Sequence, residues 1–212
     1  MSRKQSIAAT STPATNSTRA RIMEAGAAMF REHGYEASMD AIATAADVSK
    51  QTLYNQFGSK EDLFKAIISD RAAALRAPLA ASPSHRHPRE VLADVAREYY
   101  ELAFTTQSLG FLRTIVAAGQ RFPEIGVDFY EAGPKQTLEA LAAWMAREDR
   151  LGRLDTGDPT LAAEHFLSLI LGHVQTKGLL GIPVELSKAE SERRIRFCVD
   201  IFMRAFAPVN HP

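Results

Sequence analysis

The chain has 212 residues, which is enough for one large domain or for a small domain joined to a larger one. Its 25 Lys and Arg residues balance 25 Asp and Glu residues, and 46% of the chain is hydrophobic, so a disordered or polybasic protein is excluded. A single cysteine, no signal-type apolar segment near the start and no apolar run of about 18 residues together predict a cytoplasmic protein without a membrane span.

The first third of the chain predicts four helices, because apolar residues recur there at helical spacing. Residues 1–16 are small and polar and are predicted to form a flexible tail. Gly34 and Gly58 are predicted to end the first and third helices. Each helix begins behind a side chain suited to N-capping: Ser17 or Thr18, Ser38, Ser49 and Ser59.

Residues 77–89 contain three prolines and are predicted to be a loop, since proline lacks a backbone N–H. Beyond them the helical spacing resumes, without the alternation typical of strands, so the chain is predicted to be all-α. The sequence predicts helices over residues 91–104, 109–120, 124–150 with a break at Gly133-Pro134, 159–180 and 188–207.

Residues 38–57 have the spacing of a helix-turn-helix, two short helices joined by a turn of three or four residues. The second helix of such a motif fits the major groove of DNA. One side has to pack inward, here through Leu53 and Phe57, while the other side presents hydrogen-bonding groups to base edges. The residues predicted to contact bases are Lys50, Gln51, Thr52, Asn55 and Gln56.

The run from Asp47 to Phe64, DVSKQTLYNQFGSKEDLF, resembles the recognition segment of the tetracycline-repressor (TetR) family. The resemblance continues upstream through RIMEAGAAMFREHGY, at residues 21–35. The second half of the chain resembles, more weakly, the AefR-like subgroup of that family, through residues 111–123 and Asp158-Pro159. The resemblance implies an N-terminal three-helix DNA-binding domain at 17–64 and a helical effector-binding and dimerisation domain at 65–212.

The resemblance also implies a homodimeric repressor that leaves a palindromic DNA operator when a small-molecule effector binds. It places Tyr54 and Lys60 at positions that contact phosphate in the family, and Ser38 offers a hydroxyl at a helix N-terminus. Charge alone supports this only weakly, since residues 1–60 hold seven Lys and Arg against five Asp and Glu. The prediction therefore depends on placement, since Lys50 and Lys60 flank the recognition helix and Arg19 and Arg21 lie at the start of the first helix.

In the family the second domain surrounds a ligand cavity, and its last two helices form a four-helix dimer interface. Polar groups among aromatic residues are expected to orient the ligand. The expected ligand-binding residues are Phe104, Gln107, Phe111, Phe129, Trp144, Phe166 and His173. The expected dimer-interface residues are Phe166, Ile170, Val174, Ile195, Val199, Phe202 and Phe206.

Two alternatives remain open: a helical small-molecule-binding protein or enzyme without a DNA function, and a DNA-architectural protein without an effector. Catalysis and metal binding have little support, so no cofactor is expected. Cys198 lies in the middle of an apolar helix, where cysteines are inert. His85 and His87 lie in the proline-rich segment, and His165 and His173 are about 12 Å apart along a helix, too far to share a metal.

Overall fold

A computed structural model describes residues 13–81 and 86–208, with side chains from Ser17 onward. The regular structure in these ranges is helical, without strands, as predicted. The helices are α1 (Pro13–His33), α2 (Met39–Ala45), α3 (Lys50–Phe57), α4 (Lys60–Ala80), α5 (Pro88–Ala103), α6 (Thr106–Gly119), α7 (Pro123–Ala132), α8 (Pro134–Arg150), α9 (Pro159–Leu179) and α10 (Lys188–Phe206). The chain divides into two compact units, Met1–Phe64 and Lys65–Pro212.

The first unit is built from α1, α2, α3 and the start of α4. Its centre is apolar, with Ile22, Ile42 and Leu53 completely buried. Phe30 lies beside the rings of Tyr35 and Phe64, with centroid distances of 6.0 and 5.5 Å. This aromatic group holds the end of α1 against the start of α4, which fixes the frame that carries α2 and α3.

The N-caps predicted for α2, α3 and α4 are confirmed by their hydrogen bonds. The Ser38 hydroxyl accepts from the Ala41 N–H at 3.1 Å, and the Ser49 hydroxyl accepts from the Thr52 N–H at 3.0 Å. Ser59 receives the Asp62 N–H at 3.0 Å. Each bond pairs one of the N–H groups that a helix N-terminus leaves without an internal partner.

Four predicted boundaries are wrong by three residues or more: the starts of α1, α5 and α6 and the end of α4. Helix α1 begins at Pro13 rather than behind Ser17 or Thr18, since the fixed φ of proline suits the first helical position. Residues 13–16 of the predicted tail are thus helical, and residues 1–12 lie outside the described part of the chain. Helix α4 continues through Pro78 to Ala80, because Leu79 is buried in the core of the second unit and offsets the lost hydrogen bond.

The core of the second unit lies between α5, α8, α9 and α10. Leu92, Val95, Leu141 and Phe166 are completely buried there. Helices α6 and α7 pack beside this core, and the predicted break at Gly133-Pro134 is observed as the junction of α7 and α8. Among the described residues no helix is long and apolar enough to cross a membrane.

A kink at Gly172 divides α9, which the sequence predicts as one continuous helix. Gly172 has φ 40° and ψ −144°, in a region that residues with a side chain rarely adopt. Two side chains bind the carbonyl groups that precede the kink. The Tyr100 hydroxyl donates to the Ile170 carbonyl at 3.5 Å, and the Cys198 thiol donates to the Leu169 carbonyl at 3.3 Å.

Candidate nucleic-acid interface and internal cavity

The turn between α2 and α3 is held by backbone hydrogen bonds and by α1. The Val48 N–H donates to the Ala43 carbonyl at 3.0 Å, and the Arg21 guanidinium donates to the Asp47 carbonyl at 3.4 Å. Asp47 has a positive φ of 51°, which aspartate tolerates better than most residues. This left-handed residue, which the sequence did not reveal, turns the chain between the two helices.

The inward side of α3 anchors it in the first unit, as predicted. Leu53 is completely buried and Phe57 is 6% exposed. The Arg19 guanidinium lies 4.3 Å from the centre of the Phe57 ring and donates to the Gln56 carbonyl at 3.4 Å. An arginine of α1 therefore caps the carboxyl end of α3 and stacks on its anchor residue.

The outward side of α3 presents the residues predicted to contact bases. Lys50, Gln51 and Asn55 are exposed, whereas Thr52 and Gln56 are half-buried. The Gln51 amide donates to the Asn55 side-chain oxygen at 2.8 Å. This pair places amide donors and acceptors side by side on the surface, as recognition of an adenine edge requires. The contact of these amides with bases stays a prediction.

Lys50 is paired with an acidic residue of α2. Its Nζ lies 2.7 Å from a carboxylate oxygen of Asp40, with both side chains largely exposed. The hydrogen bond to Asp40, helped by the negative charge of its carboxylate, raises the pKa of Lys50. Lys50 therefore stays charged, but DNA has to compete with Asp40 for it.

The three residues predicted to contact phosphate lie on the first unit's surface in different environments. Ser38 is exposed and caps α2, and Tyr54 is 39% exposed. Lys60 is half-buried, with its Nζ 4.4 Å from the centre of the Tyr35 ring, and burial lowers its pKa. Lys60 thus packs in the unit as well as offering a charge at the start of α4.

A cavity of about 270 Å³ lies inside the second unit. Its wall is mostly apolar and comes from α4, α5, α6, α7, α8 and α9. The large apolar residues in the wall are Ile68, Leu75, Leu102, Phe111, Leu112, Phe129 and Leu171. A small set of polar groups among apolar residues is the usual composition of a small-molecule site.

The structure brings only Phe111 and Phe129, of the seven predicted ligand residues, to this cavity, with their ring centroids 6.4 Å apart. Three others, Phe104, Trp144 and Phe166, pack in the core instead. Helical spacing identifies residues that face inward but does not separate a cavity wall from a filled core.

The two polar ligand candidates also lie away from the cavity. Gln107 is exposed at the start of α6. His173 is exposed and lines a separate groove of about 330 Å³ between α9 and α10. The polar cavity residues that the sequence did not identify are Arg71, Tyr99, Ser108, Thr137 and Gln175. They come from separate helices, so no spacing along the chain marks them.

The expected dimer interface needs a correction. Six of its seven residues, Phe166, Ile170, Val174, Ile195, Val199 and Phe202, are at most 6% exposed within one chain, and Phe206 is half-buried. They pack α9 and α10 onto their own core and leave almost no surface for a partner. The large apolar residues that these helices leave exposed are Leu161, Leu169, Leu179, Phe197 and Ile201.

The described residues contain no cluster of three or more His, Cys, Asp or Glu residues that would hold a metal ion. His85 lies outside them, while His87 caps α5 by accepting from the Arg89 N–H at 3.2 Å. Burial raises the pKa of Cys198, which disfavours the reactive thiolate.

Two family models match the chain. Residues 22–67 match the model described as bacterial regulatory proteins of the TetR family. Residues 90–208 match the model of the C-terminal domain of AefR-like transcriptional repressors. These matches coincide with the helix-turn-helix in the first unit and with most of the second unit.

Solved structures and curated proteins point the same way. The chain is 34% identical to the flavonoid-responsive regulator FrrA, with a TM-score of 0.67 and coverage of 92% of this chain and 99% of FrrA. A TetR-family transcriptional regulator from Mesorhizobium loti is 28% identical, with a TM-score of 0.78 and coverage of 93% and 100%. The HTH-type regulator UidR of Escherichia coli K12 is 35% identical over 51% of this chain and 55% of its own length. The chain thus aligns with only about half of that curated relative.

Proposed function

The chain belongs to the TetR family of bacterial regulatory proteins, and from that premise we propose that it is a transcriptional repressor whose α3 contacts operator bases. The observation that carries the proposal is the two-sided character of α3. Leu53 and Phe57 anchor it, while Gln51 and Asn55 hold their amides on the surface. A solvated amide pair on a short helix with a buried anchor suits major-groove readout.

The proposed operator is a palindrome bound by a homodimer. TetR-family regulators bind DNA and dimerise, and two-fold related recognition helices enter successive major grooves about 34–36 Å apart. In this chain we assign the dimer contact to the exposed apolar residues of α9 and α10, with Phe197 as the most exposed of them at 67%. That surface replaces the interface expected from the sequence.

The proposed effector binds in the cavity of the second unit. Leu75 and Ile68 of α4 form part of the cavity wall, and α4 begins at Lys60, three residues after α3 ends. An effector that binds one position of α4 more tightly than another shifts the protein toward that position. Linkage then requires DNA to weaken effector binding by the same factor.

The DNA-binding proposal is tested by measuring affinity for a duplex selected from a random pool and for an unrelated duplex, over a range of salt. We expect the selected duplex to bind about 10³-fold or more tightly. Lys60→Gln should reduce the magnitude of the logarithmic salt slope by about 0.9 per site, since one phosphate contact is lost, and should leave base preference unchanged.

The matched control is Lys135→Gln, which removes an exposed lysine of α8 that is paired with Glu131 in the second unit. The control variant should keep the wild-type salt slope. Absence of DNA binding at low salt would contradict the proposed regulatory function. Equal affinity for both duplexes would support an architectural DNA-binding protein instead.

A further inference from the structure

The cavity of the second unit is lined by one buried tyrosine whose hydroxyl has no partner among the described residues. Tyr99 lines the cavity and is only 7% exposed. Its hydroxyl has no hydrogen-bond partner in the described part of the chain, and burial alone raises the pKa of Tyr99 to about 12. A ligand that supplies a partner to this hydroxyl therefore gains a hydrogen bond that the described protein groups do not make.

The Tyr99 hydroxyl borders open space rather than packed atoms. The fully enclosed polar atoms without a partner, among the residues that the structure describes, are one nitrogen each of Arg76, Trp144 and Arg147. The Tyr99 oxygen is not in that set, and the cavity is the open space that this residue lines. The hydroxyl is therefore not fully enclosed, and its residue forms part of the cavity wall.

Three further uncharged polar side chains line the cavity: Ser108, Thr137 and Gln175. Gln175 follows the Gly172 kink of α9, lines the cavity and has no hydrogen bond to another described side chain or backbone group. Thr137 is completely buried and donates its proton to the Gly133 carbonyl at 3.2 Å, so it can only accept from a ligand. The Ser108 hydroxyl already accepts from the Thr105 hydroxyl at 2.9 Å, so Tyr99 and Gln175 are the uncharged polar side chains of the wall without a hydrogen bond to another described residue.

The charges in the wall disfavour an ionic ligand. The residues that line the cavity include no Asp or Glu, so a cation would lose its hydration without gaining a carboxylate. Arg71 is the one lining residue with a formal charge, and it already takes part in an interaction of its own. An anion would therefore have to share Arg71 with its existing partner.

The size and rings of the cavity favour an aromatic ligand. An apolar cavity of about 150 Å³ is large enough for benzene, and this cavity has about 270 Å³. The rings of Phe111 and Phe129, 6.4 Å apart, form part of its apolar wall. The cavity is therefore large enough for a molecule with two aromatic rings.

We propose that the cavity binds a neutral aromatic molecule with a hydroxyl or carbonyl group, and that Tyr99 and Gln175 determine specificity by hydrogen-bonding that group. The proposal rests on the proposed effector cavity and names its ligand class. The test titrates the full-length protein with four probes of similar size: 2-naphthol, naphthalene, 2-naphthoate and 2-naphthylmethylammonium.

We expect 2-naphthol to bind most tightly at neutral pH, by isothermal titration calorimetry. Tyr99→Phe should lower the affinity for 2-naphthol by about 5-fold, because one hydrogen bond is lost. The same variant should bind naphthalene as tightly as the wild type or more tightly. Gln175→Leu should act in the same direction. The matched control is Tyr130→Phe, since Tyr130 is 49% exposed on α7 and does not line the cavity.

The ligand class is overturned if none of the probes binds, or if naphthoate or the ammonium probe binds more tightly than 2-naphthol. The specificity role is overturned if Tyr99→Phe weakens 2-naphthol and naphthalene equally. DNA affinity of the wild type and of Tyr99→Phe, measured without probe, separates the two proposals. Specific DNA binding without probe binding overturns the ligand class alone, whereas absence of specific DNA binding contradicts the proposed function.

Discussion

At the scale of single residues, the outward side of α3 is already engaged in contacts that DNA has to replace. Gln51 binds Asn55, and Lys50 binds Asp40 of α2. These contacts order long side chains before DNA arrives, which lowers the entropy that is lost on binding. Asp40 therefore opposes DNA binding in two ways: its carboxylate holds Lys50, and it repels phosphate.

Removing that carboxylate should strengthen DNA binding. We expect Asp40→Asn to raise affinity for the selected duplex by about 2- to 5-fold at low salt, with a smaller gain at high salt because exposed charges are screened. Fluorescence anisotropy at several salt concentrations measures both effects.

The double variant provides the control for Asp40→Asn. In a Lys50→Ala background the gain in DNA affinity from Asp40→Asn should be smaller, because there is then no Lys50–Asp40 ion pair for DNA to break. An equal gain in both backgrounds would show that Asp40 acts only through its repulsion of phosphate. A loss of DNA affinity in Asp40→Asn would contradict the proposal that Asp40 competes with DNA for Lys50.

At the scale of helices, α6 and α9 meet at a point where only glycine fits. A Cβ added to Gly178 would lie 2.5 Å from the Leu109 Cδ2 atom, and Leu109 is itself buried in the core. The Arg113 guanidinium donates to the Gly178 carbonyl at 2.9 Å beside this contact. Gly178 therefore sets how closely the two helices approach.

Gly178→Ala should lower the free energy of unfolding by about 1–3 kcal/mol through overpacking. The matched control is Gly126→Ala in α7, where an added Cβ meets nothing within 4 Å. There alanine should stabilise by about 0.5–1 kcal/mol through its helix propensity. Chemical denaturation of both variants at one protein concentration measures the two effects, and a neutral Gly178→Ala would contradict the close approach.

The helices that depend on local signals could be predicted from the sequence, and those that depend on packing could not. Ser38 and Ser49 mark α2 and α3 because a capping bond spans only three residues. The passage of α4 through Pro78 depends on core packing, and the carbonyls before the kink at Gly172 are bound by Tyr100 and Cys198 from other helices. The same reason explains why Tyr99 was missed as a cavity residue.

At the scale of the whole molecule, the exposed apolar side of α9 and α10 is the surface expected to join two chains. The interface expected from the sequence consists of the inner residues of these two helices instead. Phe197 is 67% exposed and Ile201 is 38% exposed, in contrast to Val199 at 2%. Only residues that one chain leaves exposed can bury area against another.

Phe197→Glu should weaken the homodimer by at least about 10-fold, because it places a charge in an apolar contact. Sedimentation velocity over a concentration series measures the dissociation constant, and operator affinity should fall with it. The matched control is Val127→Glu, since Val127 is 58% exposed on α7, away from α9 and α10. A Phe197→Glu variant that stays as dimeric as the control would contradict this interface.

The central claim is that the amide pair on α3 reads operator bases, and selection of duplexes from a random pool by wild type, Gln51→Ala and Asn55→Ala tests it most directly. We expect each variant to lose preference at one or two base pairs in each half-site, at a cost of about 1–3 kcal/mol, while the other positions keep theirs. Gln107→Ala, an exposed glutamine of the second unit, serves as the control and should select the wild-type sequence. Identical preferences for all four proteins would contradict the claim.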